Sequence, residues 1–259
     1  DVYKRQTLVS VVQIVPTPAQ GNTPRDIVTD GKYVYVSMYT GVVSRIDPST
    51  NTIDKTVAVG PNPEEMVIVN KSLYVTNSDG NNYNAGYANG KSVSKISLSD
   101  FVEEKKIAVG LNPTKITADA LGNVLVLCMG DYSATPATVW KINAEDEATS
   151  MNIPATIMDI KDNSLYVINA PYGAPSITYT VYNTSSGAVE KENFVSAPVD
   201  APAGIAVHSD GRIFITSYTL VGGFASYKTP GYVSEYSSDG TFVKKYDVGV
   251  GAVSMTFLK

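Results

Sequence analysis

Apolar and polar positions alternate along this chain in short runs, and the runs recur in a fixed order. A turn rich in Gly, Asn and Pro comes first. An apolar strand follows, then a tight turn and a second strand of Leu-Tyr-Val type. After a loop comes a strand of Val-Ser-Lys-Ile type, and last a strand that carries charge. The clearest opening turns are Gly21-Asn22-Thr23-Pro24, Gly60-Pro61-Asn62-Pro63 and Gly110-Leu111-Asn112-Pro113. Weaker equivalents stand at Ile153-Pro154, Ala201-Pro202 and Gly249-Val250-Gly251. Short period-two or fully apolar runs between turn formers read as strands. No helical period of useful length interrupts them.

The pattern predicts first strands over 25–29, 65–69, 115–118, 156–160 and 204–207. Second strands fall at 33–37, 73–77, 124–127, 165–169 and 213–217. The turns between them hold Asp30-Gly31, Asn70-Lys71, Gly122-Asn123, Asp162-Asn163 and Asp210-Gly211. Such pairs tolerate the positive φ of a tight hairpin, so first and second strands are neighbours. Third strands are predicted over 42–47, 93–97, 139–143, 177–183 and 232–237. Fourth strands fall at 52–59, 102–109, 149–153, 189–194 and 242–248. The charges on these last strands (Glu103-Glu104-Lys105-Lys106, Glu190-Lys191-Glu192, Lys244-Lys245) suit solvated edges that must not pair with other chains. A four-stranded unit repeating every 40–50 residues or so is the signature of a β-propeller. The expected fold is therefore all-β, a propeller of four-stranded antiparallel blades.

Five blades are complete. Residues 7–15 read as a further fourth strand and 253–257 as a further first strand, so both termini would contribute to one partial blade. The expectation is a single domain over 7–259, the N-terminally shortened remainder of a six- or seven-bladed ring, with 1–6 outside the repeat.

Composition narrows the function classes. The 259 residues carry a formal net charge of −5 with no basic stripe, which disfavours a nucleic-acid partner. No apolar run approaches the roughly 20 residues that span a bilayer. The single cysteine, Cys128, rules out an intrachain disulfide and reads as a small buried hydrophobe. One cysteine and the lone histidine, His208, leave no His- or Cys-based zinc site, no covalent haem motif and no Ser-His elbow. No cofactor is expected. Asn77, Asp79, Asn81 and Asn84 could offer oxygens to calcium, but they lack EF-hand spacing and are ordinary turn formers.

Tyrosine is the unusual component, with 17 against six phenylalanines. The second-to-third loops are long and share a face with the blade-joining turns. They hold Tyr39, Tyr83, Tyr87, Tyr132, Tyr172, Tyr218 and Tyr227. Tyrosine pairs a stiff apolar face with a polar tip, and loops on a rigid scaffold are where recognition concentrates. Arg25 and Lys115, just past the blade-joining turns, are the candidate partners for an anionic ligand group. Asp131 joins the candidate set from its loop.

Tyr74-Val75-Thr76-Asn77 is the signature tetrapeptide of YVTN repeats, and Gly60-Pro61-Asn62-Pro63 with Ser92-Val93-Ser94-Lys95-Ile96 resembles the rest of that repeat. Tyr166-Val167-Ile168-Asn169 and Tyr35-Val36-Ser37 are looser copies. Over residues 7–259 the chain resembles the YVTN-repeat β-propellers. The segment Asn169-Ala170-Pro171-Tyr172-Gly173, with Ile177-Thr178-Tyr179-Thr180-Val181-Tyr182, is similar to YncE-like surface propellers of Gram-negative gut bacteria. Some of those are outer-membrane lipoproteins that capture cobalamin beside a TonB-dependent transporter. The resemblance implies an exported protein at the outer-membrane surface or in the periplasm of a Gram-negative bacterium. A non-enzymatic binding module with a corrinoid ligand is the leading expectation, and a monomer is expected. The alternative is a platform docking to an outer-membrane transporter or a surface layer. A lyase ranks third, because propeller lyases rely on histidine; Glu, Asp or Tyr would have to act as acid or base here, and mutating Tyr83 and Asp131 should then abolish turnover without unfolding.

Overall fold

A computed structural model of the chain describes residues 12–173 and 176–257. Five four-stranded antiparallel sheets form consecutive blades, each in sequence order from the inside out. The first holds β1 (Pro24–Thr29), β2 (Val34–Met38), β3 (Val42–Asp47) and β4 (Thr52–Ala58). The second holds β5 (Pro63–Val69), β6 (Ser72–Asn77), β7 (Ser92–Ser97) and β8 (Val102–Ala108). The third holds β9 (Pro113–Ala118), β10 (Val124–Cys128), β11 (Thr138–Ile142) and β12 (Ala148–Pro154). In the fourth are β13 (Ile157–Lys161), β14 (Ser164–Asn169), β15 (Thr178–Asn183) and β16 (Val189–Glu192). In the fifth are β17 (Pro202–Val207), β18 (Ile213–Ser217), β21 (Tyr232–Tyr236) and β22 (Phe242–Asp247). A small hairpin, β19 (Leu220–Val221) with β20 (Phe224–Ala225), rises from the loop of that blade.

Burial explains this order. The second strands are apolar because they are covered on both faces: every residue of β10 is buried. The fourth strands are polar because they are edges: all four residues of β16 are exposed. The hydrophobic cores lie between blades. Tyr35 of the first packs with Met66 and Leu73 of the second, and Val126 of the third with Val93 and Ile107 of the second. Leu127 packs with Met158 and Leu165, and Ile168 with Ile213 and Ile215. Burying one such side chain contributes roughly 1.5–3 kcal/mol, so each blade depends on its neighbours.

Every third-to-fourth pairing also contains an irregularity that the hydrophobic pattern does not announce, for example where Arg45 pairs with Lys55 and Ile46 with Ile53. The displaced Asp54 then pairs with the buried Arg45. Bulges at an edge bend it away from further pairing.

The two chain ends depart from expectation. Of the predicted strand over 7–15, residues 7–11 lie outside the described set, and residues 12–15 form no strand. Residues 253–257 form no ladder either. A strand is defined by its hydrogen-bonded partner, and among the described residues no strand pairs with this segment. It nevertheless runs parallel to β17. The Val253 carbonyl lies against Gly204, where an added Cβ would fall 2.1 Å from the oxygen. Four residues on, the Phe257 ring meets His208 at 4.7 Å and Phe214 at 5.3 Å between centroids.

Candidate functional site

The inner strands run side by side around an axis, and the blade-joining turns and second-to-third loops surround its mouth. A cavity of about 560 Å³ opens there, lined among others by Arg25, Tyr39, Glu64, Lys115, Tyr87 and Tyr132. Five of the sequence-predicted residues therefore meet: Arg25, Lys115, Tyr39, Tyr87 and Tyr132. They come from the first three blades.

The turns that frame the mouth are built by asparagines. Asn62 and Asn112 both hold left-handed backbone, at φ 47° and 56°. Their side chains cross to the neighbouring loop: Asn62 Nδ2 donates to the Tyr39 carbonyl at 2.9 Å, and Asn112 Nδ2 to the Gly130 carbonyl at 3.3 Å. Asparagine tolerates this conformation better than other non-glycine residues and supplies the amide, so Gly-Pro-Asn-Pro and Gly-Leu-Asn-Pro serve both needs.

Charge at the mouth is internally balanced. Arg25 Nε donates to Glu64 Oε2 at 2.7 Å, and its guanidinium stacks 4.8 Å from the Tyr39 ring centre. Lys115 Nζ lies 2.5 Å from Glu65 Oε1. Each pair joins two blades. Burial raises the Glu64 carboxyl above its usual value, against the opposing pull of Arg25. Burial likewise raises the Tyr39 hydroxyl, and the nearby Glu64 charge adds to it.

Below the mouth, a cavity of about 180 Å³ continues along the axis between Glu65, Lys115, Asp159 and the Val253–Met255 segment. Burial raises the Asp159 carboxyl, although it accepts the Val207 amide at 2.7 Å. Asp159 was absent from the predicted set. The signal for it is a single acid inside the apolar run Ile157-Met158-Asp159-Ile160.

Beside the mouth, a third cavity of about 640 Å³ lies between the loops of the third and fourth blades. It is lined by Met129, Tyr132, Pro136, Pro154, Pro171 and Tyr172 among others. Tyr132 thus stands as a wall between two cavities. Tyr87 and Tyr132 meet edge to face with centroids 6.2 Å apart. Both hold left-handed backbone, at φ 56° and 59°. For a bulky residue that conformation costs roughly 1–2 kcal/mol.

The remaining predicted residues sit elsewhere. Tyr83 is exposed on the short 3₁₀ turn Gly80–Ala85 and lines none of the three cavities. Tyr218 and Tyr227 stack on one another at 4.8 Å on the fifth blade. Asp131 is spent on its own loop, accepting the Ser133 and Thr135 amides at 2.9 and 2.8 Å, and those bonds lower its pKa. Asp79 likewise accepts within its own loop, from Asn82 Nδ2 and the Asn89 amide, at 3.0 and 2.9 Å. Among the described residues, no group of three or more His, Cys, Asp or Glu is placed to hold a metal ion.

No protein-family model matches this sequence, and no curated protein matches it. Solved structures do. Hydrazine synthase of Kuenenia stuttgartiensis superposes with a TM-score of 0.65 at 18% identity, over 97% of this chain and 70% of that one. The fold is a β-propeller. A functionally unknown protein from Desulfotomaculum acetoxidans matches with a TM-score of 0.62 at 12% identity, over 88% of this chain and 71% of that one. Dihydro-heme d1 dehydrogenase NirN matches with a TM-score of 0.56 at 14% identity, over 88% of this chain and 47% of that one. At these identities the likeness concerns architecture, and one fold hosts many chemistries.

Proposed function

We propose that this chain is a non-enzymatic, exported binding propeller that captures a ligand on its long-loop face. One observation carries the reading: Tyr87 and Tyr132 are held in unfavourable backbone at the open mouth, with cavities on both sides of Tyr132. Strain of this kind concentrates at ligand clamps, because the rest of the fold must sustain it. The internal pairing of Arg25 and Lys115 favours a ligand that needs little net charge from the protein.

The specific ligand proposed is a corrinoid, on the resemblance of the Asn169–Tyr182 region to YncE-like surface propellers. A ligand of that size would occupy the mouth and the neighbouring cavity together, straddling Tyr132. Titration with cyanocobalamin tests this, read by absorbance and heat. Saturable binding is expected, weakened about tenfold or more in Tyr132→Ala, as for an aromatic hot spot. No heat and no spectral change would reject the corrinoid.

A second reading, docking to an outer-membrane transporter or surface layer, is favoured by a different feature. The β19–β20 hairpin exposes Leu220, Val221, Phe224 and, beside it, Tyr227. Apolar residues grouped on a projecting hairpin suit a protein contact. Pull-down from an outer-membrane extract with the parent and with Val221→Ser/Phe224→Ser separates the two readings, since corrinoid capture needs neither side chain.

A further inference from the structure

The joints between blades differ in length. Met66, Ile116 and Met158 share a register, each paired with the residue two before the end of its second strand. From Ala58, which ends β4, to Met66 the chain takes eight residues, and from Ala108, which ends β8, to Ile116 it again takes eight. From Pro154, which ends β12, to Met158 it takes four. In the full joints the turn lies over the end of the second strand. A Cβ on Gly60 would fall 2.5 Å from the Asn77 side chain, and one on Gly110 would fall 3.0 Å from Cys128 Cβ. The turn also caps the loop that follows. The Pro61 and Asn62 carbonyls accept the Asp79 and Ser78 amides, each at 3.1 Å, and the Leu111 and Asn112 carbonyls accept those of Gly130 and Met129 at 3.0 and 2.8 Å.

The short joint between the third and fourth blades meets these needs differently. The Ala170 amide, in the place of Ser78 and Met129, donates to Thr156 Oγ1 at 2.9 Å. Pro171, in the place of Asp79 and Gly130, has no amide to satisfy. The space that the turn fills elsewhere is here the cavity of about 640 Å³, bordered by Pro154, Thr156, Asn169, Ala170 and Pro171. The shortening also uncovers an asparagine. Asn77 is fully buried and spends its amide on Ser92 Oγ and Ser94 Oγ, at 3.1 and 3.0 Å. Asn169, in the same register, is half-buried on the cavity wall, and among the described residues its side chain makes no hydrogen bond. None of the described residues lining the cavity is Asp, Glu, Lys, Arg or His.

We propose that the short-joint cavity is a binding site for a neutral N-acetylated sugar residue, with Asn169 as the residue that reads the acetamido group. The volume falls within the roughly 300–1,000 Å³ of small-ligand sites. The wall has no charge to offer, so a charged sugar would lose water there without gaining a counter-ion. An acetamido group carries one N–H donor and one carbonyl acceptor, which match the carbonyl and NH₂ of the Asn169 amide. Its methyl group suits the apolar wall of Met129, Pro136 and Pro154. Two tyrosine rings stand at this cavity, Tyr172 at 99% and Tyr132 at 65% exposed, and present faces to the apolar side of a pyranose. The assignment concerns this cavity alone and goes beyond the corrinoid reading, on which it does not depend.

The test is a titration with triacetylchitotriose in the absence of any corrinoid, read by heat and by saturation-transfer NMR. Saturable binding is expected, with the strongest transfer at the acetyl methyl groups. Cellotriose, which has a hydroxyl in place of each acetamido group, should bind about tenfold more weakly, the size of one lost hydrogen bond. Asn169→Leu and Tyr172→Ala should each weaken chitotriose about tenfold. Tyr83→Ala, an exposed ring that lines none of the three cavities, should change nothing. Tyr172 is fully exposed, so its variant reports on binding even where Asn169→Leu disturbs the sheet. No binding of chitotriose, equal binding of cellotriose, or undiminished binding in Tyr172→Ala overturns the proposal. N-acetylglucosamine against N-acetylgalactosamine tells a chitin-type source from an O-linked glycan, and preference for either supports the site. Failure of cyanocobalamin to bind rejects the corrinoid and leaves this result standing.

Discussion

The two faces of this propeller use the same residue types to opposite ends. On the short-turn face, acids and amides satisfy their own turns. Asp30 accepts the Lys32 and Tyr33 amides, Asp119 accepts those of Leu121 and Asn123, and Asp239 accepts that of Thr241. At Asp30 such bonds outweigh burial and lower the pKa, and at Asp239, where the Ser237 hydroxyl contributes most, they lower it to about 2. On the mouth side, Glu64 and Asp159 are pulled into the protein, and burial raises theirs. The first face is locally complete in its acids, as Asp79 and Asp131 are within the mouth loops. The second carries an added cost in desolvated acids that local structure does not repay. Stability is the business of one face, and recognition is proposed for the other.

The strongest challenge to this contrast is Gly130→Ala. Gly130 sits at φ 67°, and a Cβ there would lie 1.9 Å from the Thr135 carbonyl oxygen. A loss of about 3 kcal/mol or more is expected by chemical denaturation, since the loop that presents Tyr132 cannot relax around it. A near-neutral result would mean that the mouth loops are not held rigidly. On the other face, Asp119→Ala leaves two amides without their acceptor and should cost about 1–2 kcal/mol. It should leave cyanocobalamin titrations unchanged. Tyr132→Gly should go the other way, gaining up to about 1 kcal/mol as the left-handed strain is released, while binding is lost. Destabilisation by Tyr132→Gly would mark that ring as packing.

The smallest expected effect is on pH dependence. Asp239 and its kind contribute stability above the unfolded carboxylate value near 4, lost as pH falls toward about 2. Glu64 and Asp159 have raised folded values. Their contribution is therefore present at low pH and lost as pH rises through those values. The melting temperature should rise slightly as pH is lowered from neutral toward the folded values of this pair. In Glu64→Gln/Asp159→Asn that rise should vanish, leaving only the acid-side decline. An unchanged profile would show that burial does not perturb the two acids.

Much of this was legible in the sequence. The strands of all five blades followed from period-two runs between Asn, Asp, Gly and Pro turns, and the polar fourth strands announced their edges. The irregular third-to-fourth pairings were not legible, because the residue that slips, such as Asp54, fits an edge strand as well as its neighbours do. Asp159 was hidden as one acid in an apolar run. Among the candidate tyrosines, Tyr39, Tyr87 and Tyr132 reach the mouth, while Tyr218 and Tyr227 turn to each other.

The difference lies in the range of the forces involved. Hairpins and edges depend on residues a few positions apart, so the sequence alone determined the blades, their order and the division into two faces. The mouth depends on contacts between blades. Arg25 finds Glu64 across 39 positions and Lys115 finds Glu65 across 50. Only the packed blades could decide that these charges neutralise one another and that two strained tyrosines meet over a cavity.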